Sequence, residues 1–215
     1  MGEIAIVIGA TGLVGGALVE QLAEVDHISR VVAVTRRPVE YIGSKIENQV
    51  VDFDNLDDFV SVFKGDLLFS CLGTTRGQAG SIEAQRMVDL EYQYKAAQLA
   101  ASQGVRHYLL VSSSGARANS RSAYLQMKGE LEKRVRPLPF GRISIFQPSL
   151  LMGERPELRF GEKLGSIVLP LLTAIPGLRR FRPIRGEQVA AKMVQVSQQP
   201  GQPLEWFTLD EIFIR

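Results

Sequence analysis

The chain of 215 residues is poor in the side chains that most site chemistries draw on. It has one cysteine, Cys71, and two histidines, His27 and His107. A single thiol excludes an internal disulfide framework and suits a reducing compartment, for which the cytoplasm is the expectation. Two histidines, one in a helix-to-strand loop and one at the start of a strand, argue against a Ser-His-Asp triad and against a histidine-rich metal site. Charge of one sign is also missing, since 25 Lys and Arg meet 23 Asp and Glu for a net +2. With no basic tail and no basic stripe interleaved with aromatics, nucleic acid is not an expected partner. No apolar run reaches the roughly 20 residues of a membrane-spanning helix. The most apolar later stretch, 165–177, is broken by Pro170 and Pro176 and reads as a helix over a cleft. The apolar start enters a glycine turn with no basic region before it, which reads as a strand and not as a leader.

What is present is alternation. Continuous apolar runs at 3–8, 30–35, 47–51, 66–71, 107–112 and 142–147, with a weaker one at 204–208, have strand length. Helical patterns at 12–24, about 55–63, 82–103, 121–135 and 186–198 lie between or beside them. Uniformly apolar strands alternating with helices predict an α/β fold, a doubly wound, mostly parallel sheet covered on both faces. The length fits one domain over 1–215, with the proline-rich stretch 149–185 on the substrate side.

The stretch Gly9-Ala10-Thr11-Gly12-Leu13-Val14-Gly15 follows the first strand and opens the first helix. Glycines three apart let a ligand approach the backbone, and the unpaired N–H groups of a helix start attract phosphate. The stretch therefore reads as a pyrophosphate cradle. The second strand ends Thr35-Arg36-Arg37-Pro38, without the acid that holds a ribose 2′-hydroxyl in NAD sites. Two guanidinium groups suit a 2′-phosphate instead, so NADP(H) is favoured over NAD(H). After the third strand, Asp52 is a candidate to accept from the adenine amino group beside the Phe53 backbone; a helix-capping role for an acid in this turn falls more naturally to Asp54. Cys71, Leu72, Gly73 and Thr74 leave the fourth strand and should border the cofactor. Cys71 as a nucleophile would need a base or an electropositive setting, and neither histidine is placed to help.

Ser112, Ser113 and Ser114 end the fifth strand, and Tyr124 and Lys128 stand four apart on the next predicted helix. That spacing puts phenol and ammonium on one face, where the cation favours the ionised phenol. A tyrosine so placed can exchange a proton with a carbonyl or alcohol, while a serine holds the substrate oxygen. Three serines run together here, and the residues alone do not choose among them. A second Tyr-x-x-x-Lys, Tyr41 to Lys45, lacks a serine-ended strand before it and reads as accidental.

The glycine triplet, the serine-ended strand and Tyr124-x-x-x-Lys128 together resemble the short-chain dehydrogenase/reductases. Cys71-Leu-Gly-Thr-Thr-Arg-Gly77 and Tyr124-Leu-Gln-Met-Lys-Gly-Glu130 resemble their atypical, Tat-interacting-protein oxidoreductase branch. The resemblance runs from the first strand over nearly the whole chain. It implies a Rossmann-type sheet, NADPH binding and a Ser-Tyr-Lys site in which Lys128 also meets the nicotinamide ribose and the family serine corresponds to Ser113, by its spacing to Tyr124, with Ser114 as the alternative. Gln147-Pro148-Ser149 is similar to the family's proline turn near the nicotinamide, with glutamine where arginine is usual. The expected activity is an NADP-dependent oxidoreductase acting on a small-molecule carbonyl or alcohol. The alternative is an NADPH-binding redox sensor or scaffold with a protein partner, and a third reading is a thiol-dependent semialdehyde dehydrogenase through Cys71. A homodimer through helices 82–103 and 121–135 is a further expectation from the resemblance.

Overall fold

The computed structural model describes residues 2–152 and 182–214. Seven strands form one sheet: β1 (Glu3–Ile8), β2 (Ile28–Thr35), β3 (Ile46–Val50), β4 (Leu67–Ser70), β5 (His107–Val111), β6 (Arg142–Gln147) and, at its edge, β9 (Leu204–Thr208). Their order is β3-β2-β1-β4-β5-β6-β9, and all six pairings are parallel. The order reverses direction between β1 and β4, which opens a crevice beyond the carboxyl ends of those two strands.

Alternation along the strands builds two cores. Ala5 and Val7 face one way, against Val14, Leu18 and Leu22 of α1 (Leu13–Glu24) and Val189, Ala190 and Met193 of a C-terminal helix, α6 (Gly186–Gln198). Ile6 and Ile8 face the other way, against helix residues Ala96, Ala97, Met127 and Leu131. Each large side chain so buried contributes about 1.5–3 kcal/mol, which is why both faces must be covered. Gly186 makes the α1–α6 contact close: a Cβ there would stand 2.5 Å from the Leu13 carbonyl oxygen.

The second face is covered by α4 (Tyr92–Ser102) and α5 (Ala123–Val135), and the short α2 (Arg76–Ala79) and α3 (Ile82–Arg86) precede α4 in the chain. Two expected helices differ in kind. The 53–63 segment is 3₁₀, broken by non-helical backbone at Asn55 and Phe59. Its capping acid is Asp52 rather than Asp54, because the Asp52 Oδ1 accepts the Asp54 N–H at 3.0 Å. The long helix expected at 82–103 carries a π turn at Met87–Glu91 between α3 and α4.

Two short strands, β7 (Leu151–Met152) and β8 (Ile184–Arg185), pair in parallel beside the sheet. The apolar stretch 165–177 and most of 149–185 lie outside the described residues. No described helix is long and apolar enough to cross a membrane.

Candidate functional site

The three glycines do three different things. Gly9 has φ +78°, and a Cβ on it would come within 2.5 Å of the Cys71 backbone. Gly15 sits so close under the turn that its Cβ would meet the Gly9 carbonyl oxygen at 2.1 Å. Gly12 is the N-cap of α1 and lines a groove of about 1190 Å³. Two glycines thus fold the turn tightly and the third leaves room in front of a helix start, where backbone N–H groups are unpaired. Val14 is buried in the core and, like Leu13 and Gly15, is not among the residues that line the groove. Among the described residues no group of His, Cys, Asp and Glu is arranged to hold a metal.

The same groove is lined by Gly9, Thr11, Cys71, Leu72, Gly73 and Thr74, and it reaches Arg36 and Phe53. Arg36 also lines an adjoining cavity of about 450 Å³ with Asp52, Phe53, Asp54 and Tyr92. Arg37 lies outside both and is exposed. The Asp52 carboxylate is turned onto its own turn: Oδ2 accepts from Asn55 Nδ2 at 2.7 Å and Oδ1 from the Asp54 N–H. The Asn55 amide and then the Asp54 N–H hold its carboxyl below the ordinary range. Tyr92, which no sequence signal selected, donates its hydroxyl to Asp54 and sets its ring 5.6 Å from Phe53.

Cys71 is a free thiol whose ionisation is pushed up to about 12 by burial, against a smaller opposing effect from Lys128. A neutral thiol is a poor nucleophile, so the local chemistry disfavours the thiol-dependent reading.

Of the three serines, Ser112 is committed to the interior, with its hydroxyl on the buried carboxylate of Glu132. Gln147, which replaces the arginine usual in the resembling family, donates to the same Glu132 oxygen at 2.9 Å. Ser113 and Ser114 are half-buried beyond it, and the Ser114 N–H donates to the Pro148 carbonyl at 2.9 Å. The 113–118 turn rests on α5 because Gly129 has no side chain: a Cβ there would lie 2.2 Å from the Arg117 backbone. Tyr124 stands one turn before Lys128 on α5 and is 36% exposed. Lys128 is 3% exposed and donates from Nζ to the Leu72 carbonyl at 3.2 Å, which ties α5 to the groove wall. Its Nζ is also 3.2 Å from Asp89 Oδ1. Tyr41 and Lys45 point apart, the first to the Ala10 carbonyl and the second to the Val25 carbonyl, as an accidental motif should.

Asp89, Glu132 and Gly129 are residues of this region that the sequence reading does not select. A signal for Asp89 did exist: Gln85, Asp89 and Gln93 recur every fourth residue on the buried face of their helix, where apolar side chains belong.

Residues 9–136 match the family model for NAD(P)H-binding domains. Protein HTATIP2 from Rattus norvegicus is 40% identical over 162 residues, covering 74% of this chain and 66% of that protein. Protein FMP52, mitochondrial, from Saccharomyces cerevisiae is 33% identical over 191 residues, covering 86% of this chain and 83% of its own. Among solved structures, MoeE5 in complex with UDP-glucuronic acid and NAD superposes with a TM-score of 0.71 at 17% identity, over 97% of this chain and 76% of that one. Thermoplasma acidophilum aldohexose dehydrogenase gives 0.67 at 16%, over 95% and 92%. At such identities the two structures share the fold with this chain.

Proposed function

The chain belongs to the NAD(P)H-binding family, and from that premise we propose that it is an NADP-dependent oxidoreductase of the short-chain dehydrogenase/reductase type acting on a small carbonyl or alcohol. The observation that carries the reading is on α5: Tyr124 stands exposed one turn from a buried ammonium, and that ammonium reaches the wall of the nucleotide groove. The dinucleotide, when bound, supplies or accepts the hydride.

The residues around it have separable tasks. The Gly9–Gly15 turn holds the pyrophosphate, and Arg36 meets the 2′-phosphate. Asp52 and Phe53 bound the adenine side, while Leu72, Gly73, Thr74 and Pro148 bound the nicotinamide side. Ser113 holds the substrate oxygen, Tyr124 exchanges the proton with it, and Lys128, one turn along the same helix, is its electrostatic partner and reaches the nicotinamide ribose. One domain spans 1–215, with 149–185 on the substrate side. A homodimer through α4 and α5 and a cytoplasmic setting belong to the same proposal. The fungal relatives are named as mitochondrial, so cell fractionation decides the setting.

The test is oxidation of NADPH, followed by absorbance, against aldehydes, ketones and quinones, with Tyr124→Phe run beside the wild type. Turnover should fall by about a hundredfold or more in the variant while NADPH affinity stays within a few-fold. A variant as active as the wild type removes Tyr124 from the mechanism. Tight binding without turnover on a broad panel favours the sensor with a protein partner.

A further inference from the structure

Three polar residues are buried along the helical stretch from α3 to α4, and only one carries charge. Gln85 donates to the Thr74 carbonyl at 3.3 Å, and Gln93 accepts from the Ser70 hydroxyl at 2.8 Å. Asp89, between them, is 0% exposed. A carboxylate with no access to water must be compensated by charge and hydrogen bonds, or its burial costs several kcal/mol.

Its compensation comes from two other elements. Oδ2 accepts the Thr74 N–H at 3.1 Å, in the loop that forms the groove wall. Oδ1 has no conventional hydrogen-bond partner and faces the Lys128 ammonium at 3.2 Å. The Asp89 carbonyl takes the Gln93 amide at 2.8 Å, which links the same residue to the end of β4. Asp89 also lies within the π turn at Met87–Glu91. Such a turn inserts a residue, rotates the helix face by about 100°, and is frequent at functional sites. Local helix regularity is given up, and the carboxylate lies between the groove loop and α5.

We propose that Asp89 is a positioning residue of the cofactor site, acting through Lys128: its charge fixes the ammonium at the groove wall. The proposal rests on the dinucleotide reading of that groove. Its shape is served by the Thr74 contact, which a neutral amide can keep. Its charge is needed only by Lys128.

That distinction gives the test. Wild type, Asp89→Asn, Lys128→Met and the double variant are titrated with NADPH and NADH by fluorescence, using whichever wild type binds more tightly. Folding is checked by circular dichroism and thermal melting. Each single variant should bind about tenfold more weakly, and the double should lie within about threefold of either single rather than at the hundredfold product. Losses that multiply mean that Asp89 acts independently of Lys128 and overturn the proposal. Asp89→Asn that melts earlier but binds within about threefold of wild type shows a structural role alone and overturns it as well.

If Asp89→Asn leaves Lys128 uncompensated and fails to fold, the double variant carries no such charge and is compared with Lys128→Met. Equal affinity supports the proposal, and a further tenfold loss overturns it. Turnover is followed in the same samples. A wild type that binds without turnover sinks the reductase reading, while the binding cycle still decides the role of Asp89.

Discussion

Arg36 and Arg37 are neighbours in sequence with different surroundings. Both are exposed, but Arg36 lines both cavities of the groove, whereas Arg37 lines neither and its carbonyl is taken by the Thr35 hydroxyl at 2.7 Å. A guanidinium on a 2′-phosphate makes charge-assisted hydrogen bonds worth about 1.5–3 kcal/mol. Arg36→Ala should therefore weaken NADPH binding by about ten- to a hundredfold and leave NADH within about threefold, with Arg37→Ala affecting neither. Equal losses for both nucleotides would place Arg36 elsewhere on the ligand. The groove lining was legible at Gly9, Gly12, Arg36 and Cys71 because strand ends and glycine turns are local signals. Which of two arginines faces the groove depends on how the chain leaves β2. Glu132 was not legible, and the polar spacing at 85, 89 and 93 marked Asp89 without naming its partner, because each finds that partner across the fold on a segment remote in sequence.

At the scale of elements, the strands and most helices fell where apolar periodicity put them, since each apolar run has a sheet face to bury. Periodicity carries no information about helix subtype. The π turn at 87–91 and the 3₁₀ segment at 53–63 both still bury apolar side chains, Leu90 in the first and Phe53, Leu56 and Phe63 in the second. The contact between the 113–118 turn and α5 was equally hidden, because a glycine in a helix ordinarily reads as a weak point. Here Gly129 admits the Arg117 backbone, and the Arg117 N–H donates to the Leu125 carbonyl at 3.1 Å. Gly129→Ala should cost about 1–3 kcal/mol in urea unfolding by overpacking. It should also lower turnover on the order of a hundredfold by displacing the serine from the tyrosine, with NADPH affinity little changed. Unchanged turnover would show that the serine turn is held by other contacts.

Across the whole molecule the sheet separates chemistry from stability. The site lies beyond the carboxyl ends of the strands, and a buried polar cluster closes the opposite end. There His107 Nε2 is 2.8 Å from the Ser144 hydroxyl, which donates to Glu205 at 2.6 Å, and Arg142 Nε donates to the same carboxylate at 2.7 Å. Burial, with a smaller effect from Arg142, pushes the His107 ring down to about 3 from its ordinary 6.5. His27 is lowered as well, chiefly by burial. In this range the unfolded chain binds the protons that the folded chain refuses, so stability is greatest above about pH 6.5 and falls as pH drops towards the folded value. Urea unfolding should lose about 1 kcal/mol from His107 between pH 7 and pH 5.5, and His107→Gln should remove that share. A variant with the wild-type pH slope would assign it elsewhere. The pairing of β7 with β8 has a consequence of another kind. Leu151 opposite Ile184 and Met152 opposite Arg185 bring the two ends of the intervening chain to one point on the frame. With the ends already clasped, lengthening or exchanging what lies between them costs little, about 0.6 kcal/mol for each doubling of length. Selection can therefore exchange the chain between the two strands as a cassette, leaving the sheet and its groove untouched.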